Sequence, residues 1–565
     1  PARTPVNSWP EVRVKIINAG TPVNYGCSND AFAIRPSYID TVGATARDAD
    51  WQTNGNARSL NNLAAAGGNV HAAGKPFSLS GLTARNALNN PTTNYAGNPT
   101  LVPGNLVFPD PTYCTTNGYT CAPGTFTVNS WNYASGVLSS TTAAYSEAGT
   151  FSWEVEDRSF ANVDAADSTI SQRYFRSNAV INTGRFVPAS YQLNVNTPQL
   201  QTFDSVCATR SFTYLGQPFG FVTTPSVTVR AMNGAAMPVQ TANYLGAMGS
   251  GGIWKLATPL AYGSAACTAP TQTCAALRQG GTTRFTTTYA LGTATPGWDG
   301  TNLATQTGDA TIVSSNNGSG ALTFGTTDKL TLYRNPAVPQ APYTAAITLA
   351  LQLDDYSEAG APTPATCATA PVITGNPTCI SGSSAAAAIG FDSGSLFHYG
   401  VLRLDSAYGS ELLPLRVPLR AMYWNGTAWV TNTIDSCTMI PNQRDNLAIG
   451  NQQGTLTAAN YGAAKVPAAA LPLANGLGTI VLAAPNAGTS GSADIALNLN
   501  STATTIDLSC NTTHPPTISG ANLPWLQGRW GGSAACPSVL YDRDPNARVR
   551  FGSPKVPYIY LRERY

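Results

Sequence analysis

The segment around Asn425-Gly426 constrains the fold of this chain more than any other stretch. Before it, residues 412–424 alternate between apolar and other side chains, and after it residues 427–433 form a second short run. The alternating apolar positions are Leu415, Val417, Leu419, Ala421 and Tyr423. A period of two places these side chains on one face of a strand, and Asn-Gly favours the tight turn that joins antiparallel strands. The segment therefore predicts a β-hairpin, with residues 399–404 as a further strand before it.

The composition extends this prediction to the whole chain of 565 residues. Charged residues make up 11% of it, well below the usual value of about 25%, while Gly and Pro number 52 and 40. Neutral, turn-rich composition is typical of an exported all-β protein, so we expect an extracellular or cell-surface protein that is exported through the periplasm. The chain begins at Pro1 without a signal peptide, and we therefore expect processing at its N-terminus.

Charge and hydropathy argue against two classes of partner. The formal net charge is only +2, and the basic residues are scattered, so no nucleic-acid partner is implied. No apolar run approaches the roughly 20 residues that a membrane-spanning helix needs. We therefore expect neither a nucleic-acid partner nor a membrane span in this chain.

The spacing of the 11 cysteines favours disulfides over a zinc site. Three pairs lie in turn-rich loops: Cys114 with Cys121, Cys267 with Cys274, and Cys367 with Cys379. None has the CxxC spacing of a zinc site and no histidine lies nearby, so we predict three loop disulfides formed in an oxidising compartment. A fourth disulfide is predicted between Cys437 and Cys510 in the last domain, while the partners of Cys27, Cys207 and Cys536 stay open.

Two stretches of the chain repeat the same motifs in the same order. GKPF at Gly74 matches GQPF at Gly216, and NYAG at Asn94 matches NYLG at Asn243. A repeat longer than about 100 residues indicates duplicated domains, and short strands separated by Gly, Pro and Asn favour β-sandwiches. We therefore predict tandem immunoglobulin-like β-sandwiches, divided into residues 1–26 (an N-terminal strand or linker), 27–183 (copy one), 184–358 (copy two), 359–389 (a disulfide-clipped linker) and 390–565 (a C-terminal β domain).

Titratable residues do not form a recognisable catalytic set. The three histidines, His71, His398 and His514, lie far apart in sequence and outside any GxSxG or HExxH motif. Glu154 and Glu156 share one face of a strand, as a glycosidase pair would, but a solvated strand face explains them as well. We therefore predict that the protein is not an enzyme.

Short acidic clusters raise the question of calcium. Three pairs resemble fragments of calcium loops: Asp48 with Asp50, Asp354 with Asp355, and Asp542 with Asp544. A complete DxDxDG motif is absent, and acids at strand ends commonly cap backbone amides. We expect no metal site and no cofactor, with calcium as the open alternative.

Aromatic residues are the candidates for ligand contact. Trp424 and Trp429 flank the predicted turn, where an exposed pair would stack on sugar rings; the alternative is a cross-strand pair that stabilises the hairpin. Tyr95 and Tyr244, in the repeated NY-x-G motifs, are further candidates for contact with a surface glycan. The alternative for these two is a buried tyrosine whose hydroxyl bonds a backbone carbonyl.

Three phrases in the C-terminal domain carry a family resemblance: YGVLRLDSAYGSELLPLRVPLRAMYWNG from residue 399, TNTIDSCT from residue 431, and PWLQGRWGG…DPNARVRFGSPKVPYIYLRERY from residue 524. They resemble the C-terminal domain of the MshQ-like surface proteins, which are encoded with the mannose-sensitive haemagglutinin (MSHA) type IV pilus of Gram-negative bacteria. The two preceding copies resemble that family more weakly, through GQPF and NY-x-G, and NY-x-G is also similar to immunoglobulin-like modules of bacterial surface proteins. The resemblance implies a pilus-associated protein, a tip or minor component acting in adhesion, with pilus subunits and a surface glycan as partners. It implies no active site.

The alternative function is structural. A self-assembling subunit of an extracellular filament or surface layer would also be neutral and all-β. Residues 11–17, EVRVKII, read as a clean strand ahead of copy one, and a spare strand of this kind serves edge pairing or donor-strand exchange between copies.

Overall fold

The computed structural model describes residues 5–48, 58–65, 69–202, 211–246, 253–256, 260–264, 271–279, 282–291, 310–325, 328–355, 358, 379–501, 503–511, 513–531, 536–537 and 539–552. Within them the chain is built mostly of β-strands and turns, so the predicted all-β class is confirmed. The helices are α1 (Pro111–Thr116), α2 (Ile170–Arg173) and α3 (Gln443–Asn446), with 3-10 turns at Asn162–Asp164, Ala463–Lys465 and Pro524–Leu526. None of these described helices is long and apolar enough to cross a membrane.

An N-terminal segment precedes the first sandwich. Its strands are β1 (Trp9–Val12), β2 (Lys15–Asn18) and β3 (Asn24–Cys27). β1 pairs with β4 (Phe32–Ile34), whereas β2 and β3 pair only with each other among the described strands. Every residue of this hairpin is exposed, including Ile16 at 72% and Tyr25 at 68%. The sequence predicted one strand over residues 11–17, but the structure ends β1 at Val12 and starts the hairpin at Lys15.

The first sandwich has two sheets, of strand order β10-β12-β8-β5 and β14-β13-β15-β7; β6 and β11 join the first sheet and β9 joins the second. Its strands are β5 (Tyr38–Asp40), β6 (Thr45–Arg47), β7 (His71–Ala72), β8 (Phe77–Arg85), β9 (Thr100–Phe108), β10 (Phe126–Val128), β11 (Asn132–Ala134), β12 (Val137–Tyr145), β13 (Gly149–Asp157), β14 (Phe175–Arg176) and β15 (Ile181–Val187). Aromatic rings join the sheets: Tyr145 of one stacks on Phe151 of the other, with ring centroids 3.9 Å apart. The core lies between the two sheets because alternate residues of β8 and β12 face inward.

The second sandwich pairs a four-stranded sheet, β16-β20-β25-β24, with the sheet β19-β17-β29-β27-β23-β22-β21, to which β28 adds. Its strands are β16 (Ser190–Val195), β17 (Gln199–Leu200), β18 (Thr213–Tyr214), β19 (Phe221–Thr223), β20 (Ser226–Met232), β21 (Ala261–Ser264), β22 (Thr271–Gln279), β23 (Thr282–Leu291), β24 (Thr311–Ser314), β25 (Ser319–Thr323), β26 (Tyr343–Thr344), β27 (Ile347–Asp355), β28 (Ile380–Ser383), β29 (Ala387–Phe391) and β30 (Leu396–His398). β18, β30 and β26 form a small sheet that leads into the third sandwich.

The third sandwich contains the hairpin with which the sequence analysis began. Its sheets are β31-β33-β34, with β38 on β33, and β32-β42-β39-β36. Its strands are β31 (Gly400–Leu404), β32 (Ala407–Gly409), β33 (Leu415–Trp424), β34 (Trp429–Thr431), β35 (Met439–Ile440), β36 (Leu447–Gly454), β37 (Leu471–Pro472), β38 (Leu477–Leu482), β39 (Gly491–Leu497), β40 (Thr504–Thr505), β41 (Ile518–Ser519) and β42 (Asn546–Phe551). The predicted hairpin is confirmed, since β33 and β34 pair antiparallel across Asn425-Gly426.

The domain boundaries differ from those predicted. β15 continues copy one to Val187, past the predicted end at residue 183, and β16 begins the second sandwich at Ser190. The predicted linker over residues 359–389 contains β28 and most of β29, which pair with β27 and belong to the second sandwich. A Gly-, Ser- and Ala-rich stretch looked like a connector because its small side chains show little alternation, yet backbone pairing requires none.

One backbone arrangement, here called the corner, recurs in all three sandwiches. A strand residue (Ala84, Ala231 or Ala421) accepts a hydrogen bond from the backbone N–H of a loop residue (Thr92, Thr241 or Asn432), at 2.9, 2.8 and 2.9 Å. The same alanine donates its N–H to a glycine carbonyl (Gly136, Gly318 or Gly476), at 2.9, 2.8 and 2.8 Å. Three residues after the loop residue stands Tyr95, Tyr244 or Asp435. These bonds agree with the predicted repeat and extend it to the third domain.

The glycine of each corner is required by its geometry. Gly136, Gly318 and Gly476 have φ of +75°, +79° and +75°, a region that favours glycine. A Cβ atom at these positions would lie 2.4, 1.9 and 2.4 Å from the carbonyl oxygen of the loop residue. The corner thus closes by a backbone approach that only glycine permits.

Two disulfides have both partners in the described part of the chain. Cys114–Cys121 is present as predicted, with Cα atoms 6.0 Å apart. The predicted Cys437–Cys510 bond is wrong, because Cys510 is bonded to Cys536 with Cα atoms 5.9 Å apart. Cys379 and Cys437 are each disulfide-bonded, and Cys27 is an exposed free thiol. The predicted partners Cys267 and Cys367, and also Cys207, lie outside the described residues; Cys274 lies on β22, but its predicted bond rests on Cys267.

Candidate functional site

The predicted contact of Tyr95 and Tyr244 with a ligand is wrong. They are only 1% and 0% exposed, so a glycan at the surface cannot reach them. The Tyr95 hydroxyl donates to Asp157 at 2.8 Å, and the Tyr244 hydroxyl donates to Glu358 at 3.4 Å. Each tyrosine therefore anchors its corner to an acid near the end of a strand, rather than to the backbone carbonyl that the alternative predicted.

Trp424 and Trp429 form the cross-strand pair that was the alternative to sugar stacking. They lie opposite each other in β33 and β34, with ring centroids 5.7 Å apart. The ring of Trp429 also lies 5.6 Å from that of Tyr541. Both tryptophans are half-buried, so contact with a sugar stays a prediction for the exposed part of each ring.

The carboxylates that suggested a glycosidase pair are paired with arginines. Glu154 lies 3.4 Å from Arg176, and Glu156 is hydrogen-bonded to Arg158. Each acid therefore has its own cation, but with side chains only 16% and 11% exposed the two acids do not form the solvated strand face that was the alternative to a glycosidase pair.

The acids considered for calcium bind groups of the protein. Asp48 pairs with Arg58, Asp355 lies 3.1 Å from Arg284, and Asp544 accepts the backbone N–H of Leu508 at 2.7 Å. Asp50 lies outside the described residues. Across the described ranges, no group of three or more His, Cys, Asp or Glu residues is arranged to hold a metal ion.

Two of the three histidines belong to the packing of the sandwiches. The His398 ring stacks on Tyr423 with centroids 4.1 Å apart, and burial lowers its pKa to about 4 although a hydrogen bond with Asn432 opposes this. His71 is buried, with Nε2 3.2 Å from the carbonyl of Lys75. Neither has the exposure of a general base.

The corner of the second sandwich holds the first sandwich. The Asn243 side chain donates to the carbonyl of Ala122 at 2.8 Å and accepts its N–H at 3.3 Å. Asn233, in the same corner, donates to the carbonyl of Ser146 at 3.0 Å. From the opposite side, Glu147 of the first sandwich accepts the N–H of Asn243 at 3.1 Å. The first junction is thus a contact of backbone groups and amide side chains.

Two acids, the half-buried Glu147 and the buried Glu358, make this junction sensitive to charge. Burial raises the pKa of Glu147 to about 7, although backbone N–H groups, including that of Asn243, oppose the shift. Glu358 forms a buried ion pair with Arg185 of β15, with Nη1 and Oε2 2.5 Å apart. Because Arg185 and Glu358 come from neighbouring sandwiches, separating the domains would leave both charges without this partner.

The first corner holds the N-terminal segment in the same way. Asn94 of NYAG accepts the backbone N–H of Ser8 at 2.9 Å and donates to its carbonyl, as Asn243 of NYLG does with Ala122. Asn86 donates to the carbonyl of Val6 at 3.2 Å, as Asn233 does with Ser146. The corner is therefore a docking surface for the chain that precedes each sandwich.

The third corner holds the second sandwich through a buried tyrosine. The Tyr214 hydroxyl, at the end of β18, donates to Asp435 at 2.8 Å and accepts from Asn432 at 2.8 Å. Burial and the neighbouring Asp435 raise the pKa of Tyr214 well above its usual value. In this domain the corner supplies the acid and the preceding sandwich supplies the tyrosine, whereas Tyr95 of the first corner bonds Asp157 of its own sandwich.

A buried arginine closes the second junction. Arg334, between β25 and β26, donates to the carbonyls of Gln527, Tyr541 and Gly400 at 2.6, 2.7 and 3.1 Å. Its guanidinium lies 4.3 Å from the ring centroid of Tyr399. Burial lowers the pKa of Arg334, opposed by the neighbouring tyrosines, so the three carbonyls must satisfy a desolvated cation.

His514 lies in a cleft of the third sandwich. The cleft has a volume of about 610 Å³ and is lined by Ile506, Leu508, Pro515, the Cys510–Cys536 disulfide and Arg543, among others. The Nδ1 atom of His514 lies 3.0 Å from Asp507 and 3.2 Å from Ser509. All three groups meet at one ring nitrogen, so they do not form the relay of a catalytic triad, in which the serine and the acid occupy opposite nitrogens.

Sequence reasoning missed these sites for a common reason. Tyr214 and Arg334 lie in no motif, and their side-chain hydrogen-bond partners are 66 to 221 residues away. Asp435 lies in the phrase TNTIDSCT, but its partner Tyr214 comes from the preceding sandwich. His514 was noticed only as an isolated histidine, although the spacing Asp507-x-Ser509 ahead of it was a usable signal for a local turn that fixes the ring.

Comparison with known proteins gives two matches. Residues 147–373 match the third domain of DUF6701, and residues 398–564 match its fourth domain. Together they cover more than two thirds of the chain. No curated protein matches it.

Proposed function

This chain belongs to the DUF6701 family, and we propose that it is an exported surface protein, associated with an MSHA-type type IV pilus, that acts in attachment and not as an enzyme. The pilus association rests on the resemblance to the MshQ-like proteins. We propose a position at the pilus tip or as a minor component, which suits a chain of three tightly joined sandwiches.

The observation that carries this proposal is the construction of the junctions. Each sandwich receives the preceding part of the chain at its corner, through amide, carboxylate or hydroxyl groups, which are buried in the second and third corners. Bending a junction would break these hydrogen bonds and leave charges such as Arg334 without their acceptors. Both changes cost free energy, so the junctions resist bending. Three sandwiches joined in this way would present a distal binding surface in a fixed orientation, as an attachment protein needs.

Covalent links support export. Six cysteines of the described chain are disulfide-bonded, including the Cys114–Cys121 and Cys510–Cys536 pairs. Such bonds persist in the periplasm and outside the cell and are rare in the cytosol. The low charged fraction also leaves few groups for acid–base chemistry.

The test is location together with attachment. Antibody against the purified chain is expected to label the outside of the producing cell, at a pilus end or base in single copies. Deletion of the gene is expected to reduce attachment to a surface while leaving growth unchanged. Purely cytosolic protein, or unchanged attachment in the deletion strain, would refute the proposal.

The second candidate is self-assembly, which the N-terminal hairpin favours. The two strands of this hairpin expose both faces, including Ile16, Ile17 and Tyr25. An open, apolar two-stranded sheet is a template for pairing with another chain. Negative-stain microscopy separates the two candidates: repeating units along a fibre favour assembly, and single particles favour an attachment protein.

A further inference from the structure

A loop that contains a proline precedes the corner alanine in each sandwich, and two of these loops join their sandwich to the next. We call them end loops: residues 73–76, 214–218 and 410–414. In the first sandwich, the carbonyl of Ala73 accepts the N–H of Gly234, beside Asn233 of the second corner, at 2.7 Å. In the second sandwich, Tyr214 docks on the third corner. Ala73 and Tyr214 are both buried, so the following sandwich covers each of these end loops.

The end loop of the third sandwich is exposed. Its Leu412 and Leu413 are 66% and 64% exposed, directly ahead of Pro414. The hydroxyl of Ser410 accepts the N–H of Leu412 at 3.1 Å, which fixes the turn that carries the two leucines. The loop lies at the end of the sandwich opposite the third corner, because β33 begins here, paired with the last residue of β38. Two adjacent leucines on a fixed turn offer an apolar contact surface.

The first corner has a position of matching shape that is not covered. Asn86 accepts the N–H of Leu88 at 2.9 Å, as Asn233 of the second corner accepts that of Ala235 at 3.4 Å, so the two corner loops begin alike. In the second corner the end loop packs here, since a Cβ on Gly74 would lie 2.8 Å from the nitrogen of Ala235. In the first corner Leu88 occupies this position and is 62% exposed.

The backbone donor at the same position is also open. Gly234 of the second corner donates to Ala73, whereas its counterpart Ala87 is exposed and its N–H makes no hydrogen bond with any described residue. The N-terminal segment fills only the positions that Ala122 and Ser146 fill on the second corner. The first corner thus keeps the position of an end loop free, with an N–H donor beside an apolar side chain.

We infer that the end loop of the third sandwich in one copy of this chain docks on the free position of the first corner in a second copy. A second copy is the occupant because an end loop meets a corner twice within the chain, and the third end loop and the first corner are the two halves left uncovered. Both halves are apolar, with leucine on each side. The contact joins unlike surfaces, so it repeats head to tail. It goes beyond the proposed function and does not use the N-terminal hairpin.

The contact between copies is expected to be weak. Within the chain, covalent continuity gives each end loop a high effective concentration at its corner. Between separate copies the same contact has to offset the loss of translational and rotational freedom, with only a few apolar side chains to do so. We expect a Kd of about 10–100 µM. Copies at low density therefore stay single, as the proposed attachment protein does.

The experiment is sedimentation velocity of the purified, unreduced full chain from about 1 to 200 µM, a range that spans the expected Kd. Cys27 is alkylated in every sample, because its exposed free thiol could otherwise link two copies. The parent protein is expected to be monomeric at the lowest concentration and to form species larger than a dimer at the highest.

Three aspartate variants locate the contact. Leu413→Asp, on the end loop, and Leu88→Asp, on the first corner, are each expected to weaken self-association by about tenfold or more, because a charge would be buried in an apolar contact. The matched control is Val313→Asp on β24, where the side chain is 63% exposed, and unchanged association is expected. Far-UV circular dichroism identical to that of the parent protein shows that each variant is folded.

Mixing the two contact variants is the sharper test. Leu413→Asp keeps an intact first corner and Leu88→Asp keeps an intact end loop, so equal amounts should form a one-to-one complex with the affinity of the parent contact and nothing larger. A parent protein that stays monomeric at the highest concentration would overturn the inference. So would self-association that neither variant weakens, or a mixture that stays monomeric.

Discussion

Removing one hydroxyl, by Tyr214→Phe, is expected to loosen the junction between the second and third sandwiches. The hydroxyl donates to Asp435 and accepts from Asn432, each at 2.8 Å and fully buried. A hydrogen bond to a charged group contributes about 1.5–3 kcal/mol and a neutral one about 0.5–1.5 kcal/mol. Asp435 keeps other donors, including the backbone N–H of Thr438 at 2.9 Å, so the loss lies at the lower end. We expect a destabilisation of about 2–3 kcal/mol with no cavity, because the ring remains.

The effect should be measured at the junction, since a chain of three domains need not unfold in one step. Amide hydrogen exchange of the peptide that spans residues 432–438 reports opening of the third corner. A loss of about 2–3 kcal/mol corresponds to exchange faster by about 30- to 150-fold. The matched control is Tyr408→Phe on β32, where the side chain is 59% exposed and a change below about 0.5 kcal/mol is expected.

Two results would contradict this reasoning. If Tyr214→Phe leaves exchange at residues 432–438 within twofold of the parent protein, the hydroxyl does not hold the junction. Faster exchange throughout the third sandwich, equal to that at the corner, would show that the substitution destabilises the domain and not the contact.

Three further predictions concern the backbone, pH and the disulfides. Gly476→Ala should lower the free energy of unfolding by several kcal/mol, because the new Cβ would lie 2.4 Å from a carbonyl oxygen. Gly488→Ala, at a similar φ but in open space, should lower it by about 1 kcal/mol. Equal shifts in Tm for the two variants would contradict this. Glu147 has a pKa of about 7 in the folded protein, above its value in the unfolded chain, so its contribution to stability is present at low pH and is lost as pH rises through 7. The Tm of the parent protein should therefore fall between pH 5 and pH 8 more steeply than the Tm of Glu147→Gln. Parallel Tm curves for the two proteins would exclude Glu147 as the cause. Peptide mapping without reductant should recover Cys510 linked to Cys536, and replacing both by Ser should cost about 3 kcal/mol for a loop of this length; free thiols at either position would contradict the structure.

Local rules accounted for the elements that the sequence could predict. The hairpin around Asn425-Gly426 depends on alternation and on one turn, both set within about ten residues, and the structure has it with Trp424 opposite Trp429. The short loop of Cys114–Cys121 was predictable for the same reason. The repeat of NY-x-G was visible because two corners use the same side chain for the same bond.

The third corner could not be predicted from the sequence, because backbone groups make its hydrogen bonds. Any residue can supply the N–H and carbonyl groups that Ala421, Asn432 and Gly476 use, and Asp435 stands where the other corners have tyrosine. The side chain that completes it, Tyr214, arrives from 221 residues away. This backbone geometry requires a particular residue type only at its glycine, so the glycine is the only sign of the corner in the sequence.

The amino-acid sequence by itself determined the all-β class, the hairpin, the repeat and the local disulfide, because alternation, turn residues and short loops act between near neighbours. The tertiary structure alone decided which tyrosines are buried, that Cys510 joins Cys536, that Arg334 finds three carbonyls, and that His514 and Arg543 share a cleft. These depend on the free energy of burying polar groups, which is fixed by partners that the folded chain brings together from distant segments.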